Sequence, residues 1–219
     1  MDTWKHCLLS QKKFGGQPED YLPIHKFLDS SKLFYFHLKH RALLHSTYGI
    51  EICSDLFGDF MRNADGTTVM VRDIAAAHCA EDLNGRIPSL AEWFQGQDAL
   101  ADLLPDIPTY ENDKVNEFIW LPYLRSGNKA TLAITCSNFG VSLMQKFFDV
   151  KTCMQHAETL SGRYDVGRYL EPFQLNENWQ HSPSREDLAL LKQIAQTHEQ
   201  PMVASVPPLP KIPAKEVIN

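Results

Sequence analysis

Six of the nine histidines in this chain fall within its first 78 residues, and three of them, His37, His40 and His45, crowd into one short run. Two further polar clusters flank that run: His25 with Asp29 before it, and His78 with Glu81 and Asp82 after it. Residues three or four apart share a helix face, so each flanking cluster sets imidazole beside carboxylate. Imidazole can titrate near neutral pH, ligate a metal, or donate and accept in a buried network. These residue types open three chemistries.

The first is a divalent-metal site built from His25, Asp29, His40, His45, His78 and Asp82, with Glu81 as an alternative carboxylate. Mixed nitrogen and oxygen donors suit zinc, manganese or iron, and such ligands usually come from separate elements. A metal held there could activate water for phosphoester hydrolysis. The spacing matches no standard ligand motif. His40 is followed by Arg41, so the chain has no adjacent His-Asp pair, and His78-x-x-Glu81 is a single reversed copy of the di-iron Glu-x-x-His pattern. The second chemistry is a buried polar network in which His25 pairs with Asp29, and Arg41 with Glu81 or Asp82, fixing how helices cross. The third is an anion site centred on the Arg41 guanidinium fork, with His37 and Tyr48 beside it.

The elements that must position these residues read mainly as helices. Residues 1–17 form an N-terminal segment ending at Gly15-Gly16, and Tyr21–Asp29 is a short helix with Pro23 in its first turn. Lys32–Phe57 reads as the longest helix, stopped by Gly58. At ~100° per residue it carries His37, Arg41, Leu44, Tyr48, Glu51 and Asp55 on one stripe, with His40 and His45 on its shoulders about 140° apart. Asp65-Gly66 signals a hairpin over roughly residues 59–72, and a helix from about Asp73 to Asn84-Gly85 carries His78, Glu81 and Asp82. Ser89 and Glu92 stand at capping-box spacing for the next helix.

From about Gln95 the character changes. Prolines punctuate the chain at 105, 108 and 122, and histidine is absent from Cys79 to Gln155. Lys129–Cys136 reads as a strand, Val141–Phe148 as a second strand or a short helix, and Arg185–Glu199 as an amphipathic helix. Five prolines in residues 201–213 describe an extended tail, of which Pro207–Pro213 could adopt polyproline II. No internal repeat stands out.

Composition bounds the rest. A chain of 219 residues with 43% hydrophobic and 22% charged content can bury a real core. A net charge of −6 argues against general nucleic-acid binding, which needs a basic face. No apolar run is long enough to span a bilayer, and the N-terminus has no signal-peptide core. The five cysteines are widely spaced without a Cys-x-x-Cys pair, which reads as reduced thiols in a cytoplasmic protein. Cys53 and Cys79 near the histidines read as small packed hydrophobes.

Five stretches carry a family likeness: KKFGGQPEDYLPIH (12–25), LDSSK (28–32), HRALLHSTYGI (40–50), NADGTTVMVRDIAAAH (63–78) and EDLNGRIPSLAEWF (81–94). In their order and spacing, residues 5–95 resemble an uncharacterised family of short bacterial and bacteriophage proteins, a domain of unknown function. The resemblance implies a small, mainly helical fold and a bacterial, phage or mobile-element origin, and it implies no activity.

The expected architecture is α+β and mainly α: a His-rich helical domain over 1–96 with one hairpin, a smaller mixed α/β region over 97–200, and a Pro-rich tail over 201–219. The expected function is that of an accessory protein that binds a host or phage component, with the His/Arg/carboxylate cluster as its ligand or structural centre. A protein partner is expected, and a small anionic or nucleotide ligand is compatible with the cluster. The alternative is a metal-dependent hydrolase of a phosphoester or nucleotide.

Overall fold

The computed structural model describes residues 2–160 and 165–175. The expected amphipathic helix over 185–199 and the Pro-rich tail lie outside the described residues. The molecule is mainly helical, with one two-stranded antiparallel hairpin, as the sequence implies. No helix among the described residues is long and apolar enough to cross a membrane.

The N-terminal segment is itself a helix, α1 (Thr3–Phe14), which buries His6, Cys7 and Ser10 against its neighbours. Helix α2 (Pro18–Asp29) starts a turn earlier than the hydrophobic pattern suggests, because Pro18 occupies its first turn and Asp20 accepts from the Gln17 N–H at 2.8 Å. Strands β1 (Phe60–Arg62) and β2 (Thr68–Met70) pair in the register Phe60↔Met70. Their connecting loop straps the turn between α1 and α2. The Gly16 N–H donates to Asp65 Oδ2 at 2.6 Å, the Ala64 N–H to Asp20 Oδ2 at 2.9 Å, and Asn63 Nδ2 to the Phe14 carbonyl at 3.0 Å.

The long helix expected over Lys32–Phe57 is broken into four pieces. They are 3₁₀ turns at Ser30–Leu33 and Leu38–His40, a single turn α3 (Arg41–Leu44), and α4 (Thr47–Phe57). Polar side chains that satisfy nearby backbone groups outside helical geometry cause the breaks. His37 is extended (φ −153°, ψ 158°) and its ring accepts from the Lys39 N–H; Ser46 is extended (φ −154°, ψ 172°) and its Oγ accepts from the Gly49 N–H. The stripe from His37 to Asp55 therefore exists only in part, as Tyr48, Glu51 and Asp55 on α4.

Helix α5 (Val71–Asp82) follows β2 directly and packs on α2 and α4. The short helix α6 (Leu90–Trp93) opens with the expected Ser89–Glu92 capping box. Beyond it come a 3₁₀ turn at Asp98–Leu103 and α7 (Asp113–Ser126), the longest helix among the described residues. The described residues end with α8 (Asn138–Met144), α9 (Val150–Thr159) and α10 (Gly167–Leu170). Lys129–Cys136 is not a strand. Its residues Lys129–Ala133 form a 3₁₀ turn capped by Asn128, and from Ala130 onward every side chain is buried, so the apolar run has no exposed alternate face to identify it. Val141–Phe148 takes the helical alternative over its first half, within α8.

The turn that starts α4 recurs at α8. Ser137 caps the Gly140 N–H as Ser46 caps that of Gly49, and an aromatic residue precedes each glycine. A Cβ on Gly49 would lie 1.8 Å from the Leu44 carbonyl oxygen, and one on Gly140 would lie 2.1 Å from that of Thr135. Backbone atoms cannot yield cheaply at such distances. We expect Gly49→Ala and Gly140→Ala each to destabilise the protein by about 1–3 kcal/mol in urea denaturation, the range of forced overpacking. His156 supplies a separate pH test. Its Nε2–H donates to the Thr135 carbonyl at 3.0 Å and its Nδ1 accepts from Tyr110 Oη at 2.7 Å. Burial lowers its pKa against the opposing Thr135 hydrogen bond. The unfolded chain therefore binds the proton more readily, and this contribution to stability falls as pH drops below about 6.5. Thermal melts of His156→Gln are expected to show a shallower loss over that window than the parent.

Candidate metal centre

Three elements deliver the convergent side chains. Helix α2 carries His25 and Asp29 one turn apart, and α5 carries His78 and Asp82 at the same spacing. His45 comes from the break between α3 and α4, where non-helical backbone (φ −85°, ψ 66°) turns it toward the other two helices. Asp29, His45, His78 and Asp82 each offer one donor atom, all within 4.8 Å of one another and all from buried residues. The two Nε2 atoms of His45 and His78 are 3.1 Å apart. His45 Nε2 stands 3.2 Å from Asp82 Oδ2 and 3.9 Å from Asp29 Oδ1, and His78 Nε2 stands 3.6 Å from Asp29 Oδ1. Around a tetrahedral ion with bonds of ~2.0–2.1 Å, neighbouring donors lie roughly 3.3–3.4 Å apart. The observed separations bracket that value.

The outer atoms of Asp29, Asp82 and His78 are held by other groups, whereas His45 Nδ1 meets no hydrogen-bond partner among the described residues. Asp29 Oδ2 accepts from Thr3 Oγ1 at 2.6 Å, and Asp82 Oδ1 faces His6 Nε2 at 3.4 Å. His78 Nδ1 is 3.0 Å from His25 Nδ1, and His25 Nε2 is 2.9 Å from Ser10 Oγ. A chain in which His78 Nδ1–H donates to His25, and His25 Nε2–H to Ser10, leaves the His78 Nε2 lone pair pointing at the centre. Outer hydrogen bonds of this kind fix tautomer and ring orientation in metal sites. Two cations lie alongside: Arg41 Nη2 is 3.0 Å from Asp82 Oδ2, and Lys32 Nζ is 2.6 Å from Asp29 Oδ1.

Burial sets the charge states. It lowers the pKa of His25 to about 3, with the nearby His6 charge adding to the effect. It likewise lowers those of His40, His45 and His78, so these imidazoles are neutral at pH 7. His6 moves the other way, because hydrogen bonds and charges from Asp82 and Glu81 outweigh its burial. Burial alone would raise the carboxyls of Asp29 and Asp82. The surrounding imidazoles and cations hold both well below the usual carboxylate range. Burial pushes the Cys53 and Cys79 thiols up, in keeping with their reading as packed apolar side chains.

Of the six residues expected to ligate a metal, four converge and two sit beside the centre. His25 stands behind His78, and His40 binds Ser31 Oγ through Nδ1 at 2.8 Å, with its ring edge-on to His45 at 5.3 Å. The expected His25–Asp29 pair gives way to His25–Ser10, since α1 packs on α2 and brings its own polar face. Arg41 does pair with Asp82. The anion trio is not assembled: Arg41 is buried against Asp82, His37 is exposed, and Tyr48 lines a groove along α4. Sequence reasoning passed over His6, whose Nδ1 lies 2.5 Å from Glu81 Oε2. The spacing of His6, Ser10 and Phe14 on one helical face was the signal available.

Comparison with known families adds one finding. Residues 1–101 match the family model of a domain of unknown function (DUF6915). The matched segment contains all four donors and the residues named above that hold them. No curated protein and no solved structure matches the chain.

Removing one member of the cluster should be costly. Asp82→Ala leaves Arg41 buried without the carboxylate it pairs with, and we expect a loss of about 3–5 kcal/mol in urea denaturation.

Proposed function

We propose that the DUF6915 segment holds one divalent transition-metal ion, zinc, manganese or iron, through Asp29 Oδ1, His45 Nε2, His78 Nε2 and Asp82 Oδ2. The observation that carries this reading is the convergence of those four atoms within 4.8 Å. It is supported by the separate protein groups that hold the outer atoms of Asp29, His78 and Asp82. Metal binding requires unprotonated imidazole and ionised carboxylate, and the pKa directions at the cluster meet both demands. Nitrogen and oxygen donors without thiolate suit these ions over copper(I) or an iron–sulfur cluster.

The centre joins α2, the α3–α4 break and α5, so the ion acts as a cross-link within the segment. Burial of all four donors supports a closed, structural centre in an accessory protein that works by binding. The alternative of a phosphoester hydrolase needs a coordination position open to substrate.

The test is elemental analysis of untagged protein beside His78→Ala and the distant His156→Gln. We expect about one equivalent of metal in the parent and in His156→Gln, and none in His78→Ala. Chelation should lower the melting temperature of the parent by several degrees, as loss of a ligand bound only to the folded state requires. Metal-free parent protein whose melting temperature does not respond to added zinc, manganese or iron would leave the cluster a hydrogen-bonded network alone.

A further inference from the structure

Helix α4 carries a second polar face that the metal centre does not use. Tyr48, Glu51 and Asp55, spaced i, i+3 and i+7, line a groove together with Asp59, Phe60 and Arg72. Its volume of about 650 Å³ is within the range of small-ligand sites. Tyr48 is only 1% exposed, and its hydroxyl meets no hydrogen-bond partner among the described residues. A buried hydroxyl in that state costs stability unless something entering the groove completes it.

The charge around that hydroxyl selects the kind of group. The Arg125 guanidinium, which also lines the groove, is engaged by Glu51. Among the described residues that line the groove, this leaves the carboxylates of Asp55 and Asp59 against the cation of Arg72. Burial, Glu51 and Asp59 raise the Asp55 carboxyl, and Arg125 only partly opposes them, which marks a carboxylate short of positive charge. Burial, Glu51 and Asp55 raise the Tyr48 phenol, so it stays protonated and neutral. Phe60 and Met70, 57% and 37% exposed, add an apolar wall.

We propose that this groove binds a primary alkylammonium group, with the ammonium among Tyr48 Oη, Asp55 and Asp59 and its hydrocarbon arm along Phe60 and Met70. An ammonium offers three donors to a phenol oxygen and two carboxylates, and aromatic faces attract it further. Two sources share this chemistry, a free polyamine and a lysine side chain of a partner protein. The proposal is independent of the metal reading, because the groove and the centre share no residue.

The experiment is calorimetric titration of the full chain at fixed ionic strength with spermidine, with a short lysine-containing peptide, and with the same peptide acetylated on lysine. Saturable one-site binding is expected from spermidine or from the unmodified peptide, and none from the acetylated form. Spermidine alone binding assigns the groove to free polyamines, and peptide binding assigns it to a protein partner. Tyr48→Phe should weaken binding about tenfold, the effect of losing one hydrogen bond to a charged group. Asp55→Asn, an exposed position whose replacement spares the fold, should weaken it at least as much. Absence of saturable binding in both arms up to roughly 10 mM, beyond the ordinary weak-binding regime, overturns the proposal. Unchanged affinity in Asp55→Asn overturns it equally.

Discussion

Two carboxylates, Asp29 and Asp82, lie 6% and 1% exposed at the meeting of α2 and α5, and the surrounding architecture answers to their charge. A buried carboxylate costs several kcal/mol unless it is paired and hydrogen-bonded on both oxygens. The chain meets that demand from five places. Helix α1 sends Thr3 and His6, the 3₁₀ turn after α2 sends Lys32, α3 sends Arg41, the α3–α4 break sends His45, and α5 sends His78. None of these groups is close to all the others in sequence, so satisfying the two charges is equivalent to folding the segment. The hairpin loop that straps the α1–α2 turn serves the same end, because it holds α1 over the cluster.

The break at His45 is where local and tertiary physics meet. A continuous helix would hold His40 and His45 about 140° apart, facing different neighbours. Capping by Ser46 and the close approach of Gly49 to the Leu44 carbonyl end α3 at Leu44 and leave His45 in the break before α4. His45 then turns inward, with His40 packed edge-on against it as support. The same Ser–x–aromatic–Gly turn before α8 leads instead into the Thr135–His156–Tyr110 network, which contains no convergent carboxylate. The turn is thus a general device of this fold, and the residues around it decide what it holds.

Much of this was legible in the sequence. The i, i+4 pairs His25/Asp29 and His78/Asp82 marked two faces that do meet, and of the two carboxylates matched to Arg41, Glu81 and Asp82, the partner is Asp82. The hairpin at Asp65-Gly66 and the Ser89–Glu92 capping box stand as read, since both rest on short-range backbone chemistry. The rest depended on competition that periodicity does not report. Nothing in the apolar pattern of 32–57 says that His37 and Ser46 take their neighbours' N–H groups. Nothing in KATLAITC separates a buried 3₁₀ turn from a buried strand. His6 escaped notice because the carboxylates that engage it lie some 75 residues along the chain. Its partners, Glu81 and Asp82, are supplied only by tertiary packing.

The account turns on four atoms facing one point, and the most direct measurement of that is an anomalous-difference map from crystals of untagged protein, collected at the absorption edge of the metal it contains. The account predicts a single peak about 2.0–2.3 Å from each of Asp29 Oδ1, His45 Nε2, His78 Nε2 and Asp82 Oδ2. A map without that peak, from crystals soaked in zinc, manganese or iron(II), would contradict it, as would a peak held by a different set of donors.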